Sequence, residues 1–340
     1  MNIDDKPFVS ICTPTFNRRP FIEYLIKCFN HQDYPKEKME WIILDDGTDK
    51  IEDMVSYIPQ VKYFYFDKKM VLGEKRNILN EKAKGDIIIY MDDDDYYPPS
   101  RVSHAVETLI ANPNAMCAGS SIVYIYFKSL DKIYQFGPYG PKHATAATFA
   151  FRRELLIHNK YNDSDAVCEE YSFLNNYTVP FVQLDSFKTI LVFAHEHNSV
   201  NKEMLLEDAH PDYIKCTDVK VEEFIDDADM RDFYVNRLGD VLKNYEKGRP
   251  EEKPEVLKQI EELKLERKLD LERRKLELNS NNNNEKITIK IGDEEPKALT
   301  AEEIVNILQQ QHNYINQLNS LLKGKELEID LLNKSLLHKK

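Results

Sequence analysis

The chain opens as short apolar runs separated by amphipathic stretches. Residues 8–13 form an apolar run bounded by turn-forming residues and predict a strand. Residues 19–29 place Ile22, Leu25, Ile26 and Phe29 on one helical face. A second strand is predicted at 40–44 and a third at 61–66. Residues 74–84 carry Ile78, Leu79 and Lys82 at helical spacing, and 86–91 form a fourth strand, apolar on both faces. Strands this continuously apolar, alternating with helices, predict a parallel sheet covered on both sides. The expected class is therefore α/β, with a Rossmann-like, mostly parallel sheet and helices on both faces. Beyond it the pattern is mixed: residues 120–127, 133–136 and 189–195 predict strands, and 166–177 a helix.

The last hundred residues follow other rules. Residues 249–278 are almost purely Glu, Lys, Arg and Leu, all good helix formers, and end in an Asn-rich linker. Residues 286–291 alternate like a short strand. Ile304, Leu308, Gln311, Ile315, Leu318, Leu322, Lys325, Ile329, Leu332 and Leu336 then alternate spacings of four and three, an a/d seam. Self-association through residues 304–336 is the expected use of that seam, and an amphipathic helix folded back on the chain is the alternative. Three segments are expected: a globular domain over 1–245, a charged helix and linker over 246–284, and a short strand with a coiled coil over 285–340.

Charge supports this division. The 340 residues hold 46 Lys plus Arg against 59 Asp plus Glu, a net charge of −13. Residues 246–340 contribute only −1, and Tyr314 is their one aromatic residue. The acidity therefore belongs to the first 245 residues. It leaves no basic excess for nucleic acid. No run of 18 apolar residues predicts a membrane span, and no signal peptide is visible at the N-terminus. Five scattered Cys suit reduced thiols. A soluble, cytoplasmic protein is expected.

Three polar clusters fall at predicted carboxyl ends of strands, where open α/β sheets bind ligands. These are residues 13–18, Asp45-Asp46-Gly47, and Asp92-Asp93-Asp94-Asp95. Four adjacent carboxylates repel one another and are costly to hold together without a cation. An acidic run can also be a plain solvated loop, but its place after a buried strand favours metal binding. Glycine-rich phosphate-loop motifs are absent, so a cation is the expected partner of any nucleotide phosphates.

The segments FVSICTPTFNR, WIILDDGTD and LGEKRNILNEKAKGDIIIYMDDDDYYPPSRV closely resemble family 2 glycosyltransferases of the GT-A fold, over about residues 7–200. The resemblance implies an inverting transferase that uses a nucleotide sugar, commonly a UDP-sugar, with Mn²⁺ or Mg²⁺. It implies a nucleobase pocket lined by Thr13 and Phe16, with Asp45 accepting from the base beside Asp46, and Arg76 near the base or diphosphate. Asp92-Asp93-Asp94 would be the Asp-x-Asp motif, Asp94 being the first choice as metal ligand and Asp92 or Asp93 facing ribose and diphosphate. Asp92 is a second metal candidate. Glu169-Glu170 stands where the family has Glu-Asp, which gives Glu170 the general-base position and Glu169 its neighbour. His197, with His195 in reserve, would help hold the metal or diphosphate. Residues 140–154 match the acceptor-side segment, where His143, Thr145 and Thr148 offer hydrogen bonds.

The expected reaction moves a sugar from a nucleotide-sugar donor to a hydroxyl of a glycan, protein or lipid. Two other classes fit parts of the pattern. One is a nucleotidyltransferase using the same acidic metal site; the other is a non-catalytic glycan-binding or scaffold protein built around the coiled coil.

Overall fold

The computed structural model describes residues 3–207, 210–282, 288–289 and 297–299, with scattered positions between 303 and 325. The chain divides into two compact units, Met1–Gln259 and Ile260–Lys340.

The first unit is built on strands β1 (Val9–Thr15), β2 (Met39–Asp45), β3 (Val61–Tyr65), β4 (Ile87–Tyr90), β5 (Cys117–Gly119), β6 (Val123–Phe127), β7 (Lys132–Phe136), β8 (Ala150–Arg152), β9 (Phe181–Gln183), β10 (Leu191–Ala194) and β11 (Ile214–Cys216). Seven of them form one sheet in the order β3-β2-β1-β4-β8-β5-β9. The β3-β2-β1-β4 half is parallel throughout, and β8 enters antiparallel to β4 and β5. A second sheet has the order β10-β6-β7-β11.

Alternation decides which face each side chain covers. Val9 and Ile11, Trp41 and Ile43, and Ile87 and Ile89 enter one core, while Cys12, Ile42, Leu44, Ile88 and Tyr90 enter the other. Both faces are thus dry, as the apolar strands predict. Helix α1 (Arg19–His31) covers the first face with Phe21, Ile22, Leu25 and Phe29. After the short α2 (Glu52–Val55), helix α3 (Leu72–Lys82) seats Leu79 on the second face. Helix α4 (Arg101–Ala111) returns to the first face with Val102, Ala105 and Leu109. Each such aliphatic side chain contributes about 1.5–3 kcal/mol by leaving water.

Two expectations change. The strand predicted at 120–127 shortens to β6 in the small sheet, and the residues just before it, 117–119, form β5 in the large one. The helix predicted at 166–177 shrinks to α5 (Glu170–Phe173). Cys168 before it and Asn175, Asn176 and Tyr177 after it have φ of +56°, +47°, +56° and +58°, which no right-handed helix continues through. Helices α6 (Met204–Glu207), α7 (Ala228–Asp232) and α8 (Leu238–Lys243) follow, and α9 (Pro254–Asn282) begins within the first unit.

In the second unit, β12 (Thr288–Ile289), inside the stretch 286–291 predicted to alternate, pairs antiparallel with β13 (Lys297–Ala298). Ile304, Gln311, Leu318 and Lys325 of the expected seam are helical, whereas Leu308, Ile315, Leu322, Ile329, Leu332 and Leu336 lie outside the described residues. Among the described residues no helix is long and apolar enough to cross a membrane.

Candidate active site

The carboxyl ends of β1, β2 and β4 meet at one edge of the large sheet. Asn17, in the left-handed region at φ +52°, binds two loops together. Its Oδ1 accepts from the backbone N–H of Thr48 and Asp49 at 2.8 and 2.9 Å. A Cβ on Gly47 would sit 2.5 Å from the Asn17 nitrogen, so only glycine permits this approach. Thr13 lies deeper than a pocket residue: its buried hydroxyl donates to Met91 O and accepts from Trp41 Nε1, tying β1 to its neighbours. Asp45 is likewise spent within its own loop, accepting from Gly47 N, Ile51 N and Tyr63 Oη. Asp46 accepts from Lys75 Nζ at 2.5 Å and from Met70 N at 2.7 Å. Half-buried Phe16 carries Lys69 and Lys75 over its ring, 5.1 and 5.9 Å from its centre.

The acidic run is divided among cations. Fully buried Arg76 forks onto Asp92 with two 3.3 Å contacts, and its Nε donates to Glu169 at 2.9 Å. Arg18 Nε lies 3.6 Å from both Asp93 and Asp94. Burial and the neighbouring Asp94 push the Asp93 carboxyl up to about 7, against the pull of Arg18. Burial also opposes charge on Asp94, yet His195 and Arg18 hold it well below the usual carboxylate range. Asp95 points inward, where it accepts from Phe193 N, and burial beside Asp94 pushes its carboxyl well up. It braces the loop, leaving Asp92 and Asp94 as the carboxylates more open to the cleft.

Below the run, Arg101 is wholly buried and donates to the carbonyls of Tyr90, Thr148 and Phe149. It ties the end of β4 to the segment leading into β8.

Glu169 and Glu170 differ sharply. Glu169 is buried and paired with Arg76; half-buried Glu170 is raised to about 8 by burial and by the adjacent Glu169. The two histidines exchange their expected places. The His195 ring lies 3.4 Å from Asp94, and its Nδ1 accepts from His197 N. Nε2 faces both Asp94 and Asn198 Nδ2, the latter at 2.9 Å, so both ring nitrogens have partners. Burial lowers His195 to about 4, so it is neutral at pH 7. His197 packs its buried ring 6.0 Å from Tyr245, and its carbonyl accepts from Arg18 Nη2. On a continuing strand the two rings would share one face, but β10 ends at Ala194 and a turn at 196–197 follows, so only His195 reaches the acidic run. On the acceptor side, His143 lies between the rings of Tyr139 and Tyr177. Thr145 lends its carbonyl to Thr148, whose buried hydroxyl accepts from Ser120 N and stays within the fold.

Residues 248–259, expected to belong to the charged tail, complete this edge. Gly248, at φ +77°, accepts from Arg18 Nη1, and Glu252 accepts from Asn17 Nδ2 and Gly248 N. Glu255 pairs with Lys69, and Gln259 Oε1 accepts from the N–H groups of Ala166 and Val167 at 2.7 and 2.8 Å. The strap therefore runs from the β1 loop to the approach of Glu169-Glu170. Lys253, buried in it, donates to Ser199 Oγ at 2.8 Å. Burial and nearby Arg18 depress its ammonium to about 6, although Asp94 and Asp93 pull the other way. The Lys, Glu and Gln of this strap look like solvated helix positions in sequence, and no local signal marks them.

Among the described residues, no three His, Cys, Asp or Glu side chains form a ready metal cage. The donor set nonetheless suits a hard cation. The Asp92 and Asp94 side chains are 24% and 16% exposed, and Mg²⁺-type ions commonly take one or two carboxylates and complete their shell with phosphate and water.

Residues 10–166 match glycosyl transferase family 2. The chain is 33% identical over 104 residues to the putative colanic acid biosynthesis glycosyl transferase WcaA of Escherichia coli K12, covering 29% of this chain and 37% of that protein. It is 32% identical over 115 residues to the Campylobacter jejuni GalNAc(5)-diNAcBac-PP-undecaprenol beta-1,3-glucosyltransferase, covering 32% and 35%. The chain spans less than half the length of these relatives. Among solved structures it is similar to the mannosyltransferase PcManGT of Pyrobaculum calidifontis in complex with GDP-Man and Mn²⁺, at 15% identity and a TM-score of 0.47, covering 62% and 67%. Glycosyl transferase family 2 is thus the family that residues 10–166 of this chain resemble.

Proposed function

We propose that the chain is an inverting, metal-dependent glycosyltransferase that moves a sugar from a nucleotide sugar, a UDP-sugar by first choice, to a hydroxyl acceptor. The observation that carries this reading is Arg76, which joins the acidic run at Asp92 to the acidic pair at Glu169. Donor and acceptor chemistry thereby share one edge of the sheet.

Phe16 offers its ring face to the nucleobase, with Lys69 and Lys75 beside it. Arg18 and Lys253 face the diphosphate. Asp92 and Asp94 would hold Mn²⁺ or Mg²⁺, which supplies positive charge to the departing diphosphate. Glu170 takes the proton of the acceptor hydroxyl as its oxygen bonds to C1 of the sugar. The C1–O bond to the diphosphate breaks, and the electron pair leaves with the nucleoside diphosphate. Attack opposite the leaving group inverts C1. Glu169, neutralised by Arg76, stays out of proton transfer and holds the helix start in place.

The segment after residue 259 serves position or assembly in this reading, with self-association through residues 304–336. Glu170→Gln tests the assignment: sugar transfer is lost while nucleotide binding stays. Transfer at the wild-type rate by Glu170→Gln would sink it.

A further inference from the structure

Exposed and half-buried aromatic rings form one continuous row on the acceptor side. From Glu170 outward it runs Tyr171, Tyr177, His143, Tyr139, Tyr213 and His210. The centroid spacings along it are 5.7, 5.2, 5.0, 5.4 and 5.7 Å. Tyr171, Tyr139 and Tyr213 are 53%, 44% and 43% exposed. Single exposed aromatics are ordinary, but a contiguous row marks a binding surface. Glu170 stands at its inner end: its charge is among the causes that raise the Tyr177 hydroxyl, after burial.

The row is fixed in place. Tyr139 N and Gly140 N donate to Ser121 Oγ at 2.7 and 3.1 Å. Gly137, at φ +90°, lies so close to Ser121 that a Cβ would sit 2.0 Å from its carbonyl oxygen, and Gly137 N donates to Tyr213 O. Gln183 Nε2 donates to the carbonyls of Pro141 and His143 at 3.0 Å. Polar groups are interleaved with the rings, and His143 Nδ1 is buried without a hydrogen-bond partner.

We propose that this row is an extended acceptor subsite that binds a glycan chain of several sugar units, one end of which reaches Glu170. The inference rests on the glycosyltransferase reading. A sugar ring has an apolar C–H face and a hydroxylated edge. Tyr and His rings with adjoining amides and carbonyls match both, because they combine an apolar body with a polar tip. A lipid surface would instead call for Leu, Phe or Trp with a Lys-rich rim, and the row contains none of those apolar residues.

The test is calorimetric titration of the full chain with cellohexaose, chitohexaose and maltohexaose, each against its own disaccharide. At least one hexasaccharide binds about tenfold tighter than its disaccharide, and Tyr139→Ala and Tyr171→Ala each weaken it about fivefold, the worth of one aromatic contact. Melting temperatures show that both variants fold. Binding without length dependence for all three sugars, affinity unmoved by both variants, or Tyr-dependent binding to phosphatidylglycerol vesicles in place of sugars overturns the inference. UDP and GDP binding with Mn²⁺ is measured on the same samples. Loss of nucleotide binding by the wild-type chain counts against the transferase reading, and the glycan titrations alone decide the subsite.

Discussion

Arg76 donates to Glu169 at 2.9 Å, across 93 residues of sequence, while its other nitrogens fork onto Asp92. One buried guanidinium thus consumes the first acid of the Glu-Glu pair and leaves the second available. Glu170→Gln is expected to lower sugar transfer about 10²- to 10⁴-fold, the usual worth of a general base. Glu169→Gln should act differently, weakening the anchor on Arg76 and lowering the melting temperature. Steady-state kinetics of both variants, with nucleotide affinity measured alongside, separates the two roles.

The raised Glu170 carboxyl makes a double prediction about pH. A base works when deprotonated, so transfer by the wild-type chain should rise with pH through about 8. Stability runs the other way. A carboxyl whose folded pKa is raised binds its proton more tightly when folded. Its contribution is full below the ordinary carboxylate range and is lost as pH rises towards about 8. Glu170→Gln should therefore melt higher than the wild type at pH 8 and close to it at pH 4. A lower melting temperature for the variant at pH 8 would contradict this.

Arg76→Met leaves buried Glu169 and half-buried Asp92 without their partner. Breaking such a pair costs about 3–5 kcal/mol. Denaturant titration of the variant beside the wild type at pH 8 checks the magnitude.

The strap gives a prediction that separates fold from site. Ala at Gly248 would force a side chain into a left-handed turn and within 2.3 Å of Asn17 O, with strain of about 1–3 kcal/mol. Gly248→Ala should weaken nucleotide binding by displacing Lys253 and Arg18, with the large sheet intact by circular dichroism. Lys253→Gln should weaken it without the strain. Equal nucleotide affinity in both variants and the wild type would remove the strap from the donor site.

The large sheet was legible because its strands are apolar on both faces, a pattern that only a doubly covered sheet satisfies. The acidic run and Glu169-Glu170 were legible because their residue types are costly without partners. The partners themselves were not. Arg18, Lys253, Glu255 and Gln259 are common surface residues, and only the fold brings them to the cleft. Local periodicity also misled at residues 166–177, where Asn175 and Asn176 tolerate the left-handed conformation and end the helix early. At His195-Glu196-His197, spacing identified the pair, but the turn decided which ring faces Asp94. Thr13 and Asp45 sit at the predicted strand ends, yet their hydrogen bonds stay inside the fold.

The heptad seam carries a prediction of its own. Sedimentation of the full chain should give an oligomer, and a chain ending at residue 282 a monomer. Equal monomeric mass for both would reject self-association through residues 304–336.

Nucleoside diphosphate release from a panel of UDP- and GDP-sugars, with Mn²⁺ and then with EDTA, is the most direct measurement of all. The wild-type chain should release the nucleoside diphosphate from at least one sugar nucleotide, EDTA should suppress that release, and Asp94→Ala should abolish it. No release from any sugar nucleotide, or release indifferent to EDTA, would contradict a metal-dependent glycosyltransferase.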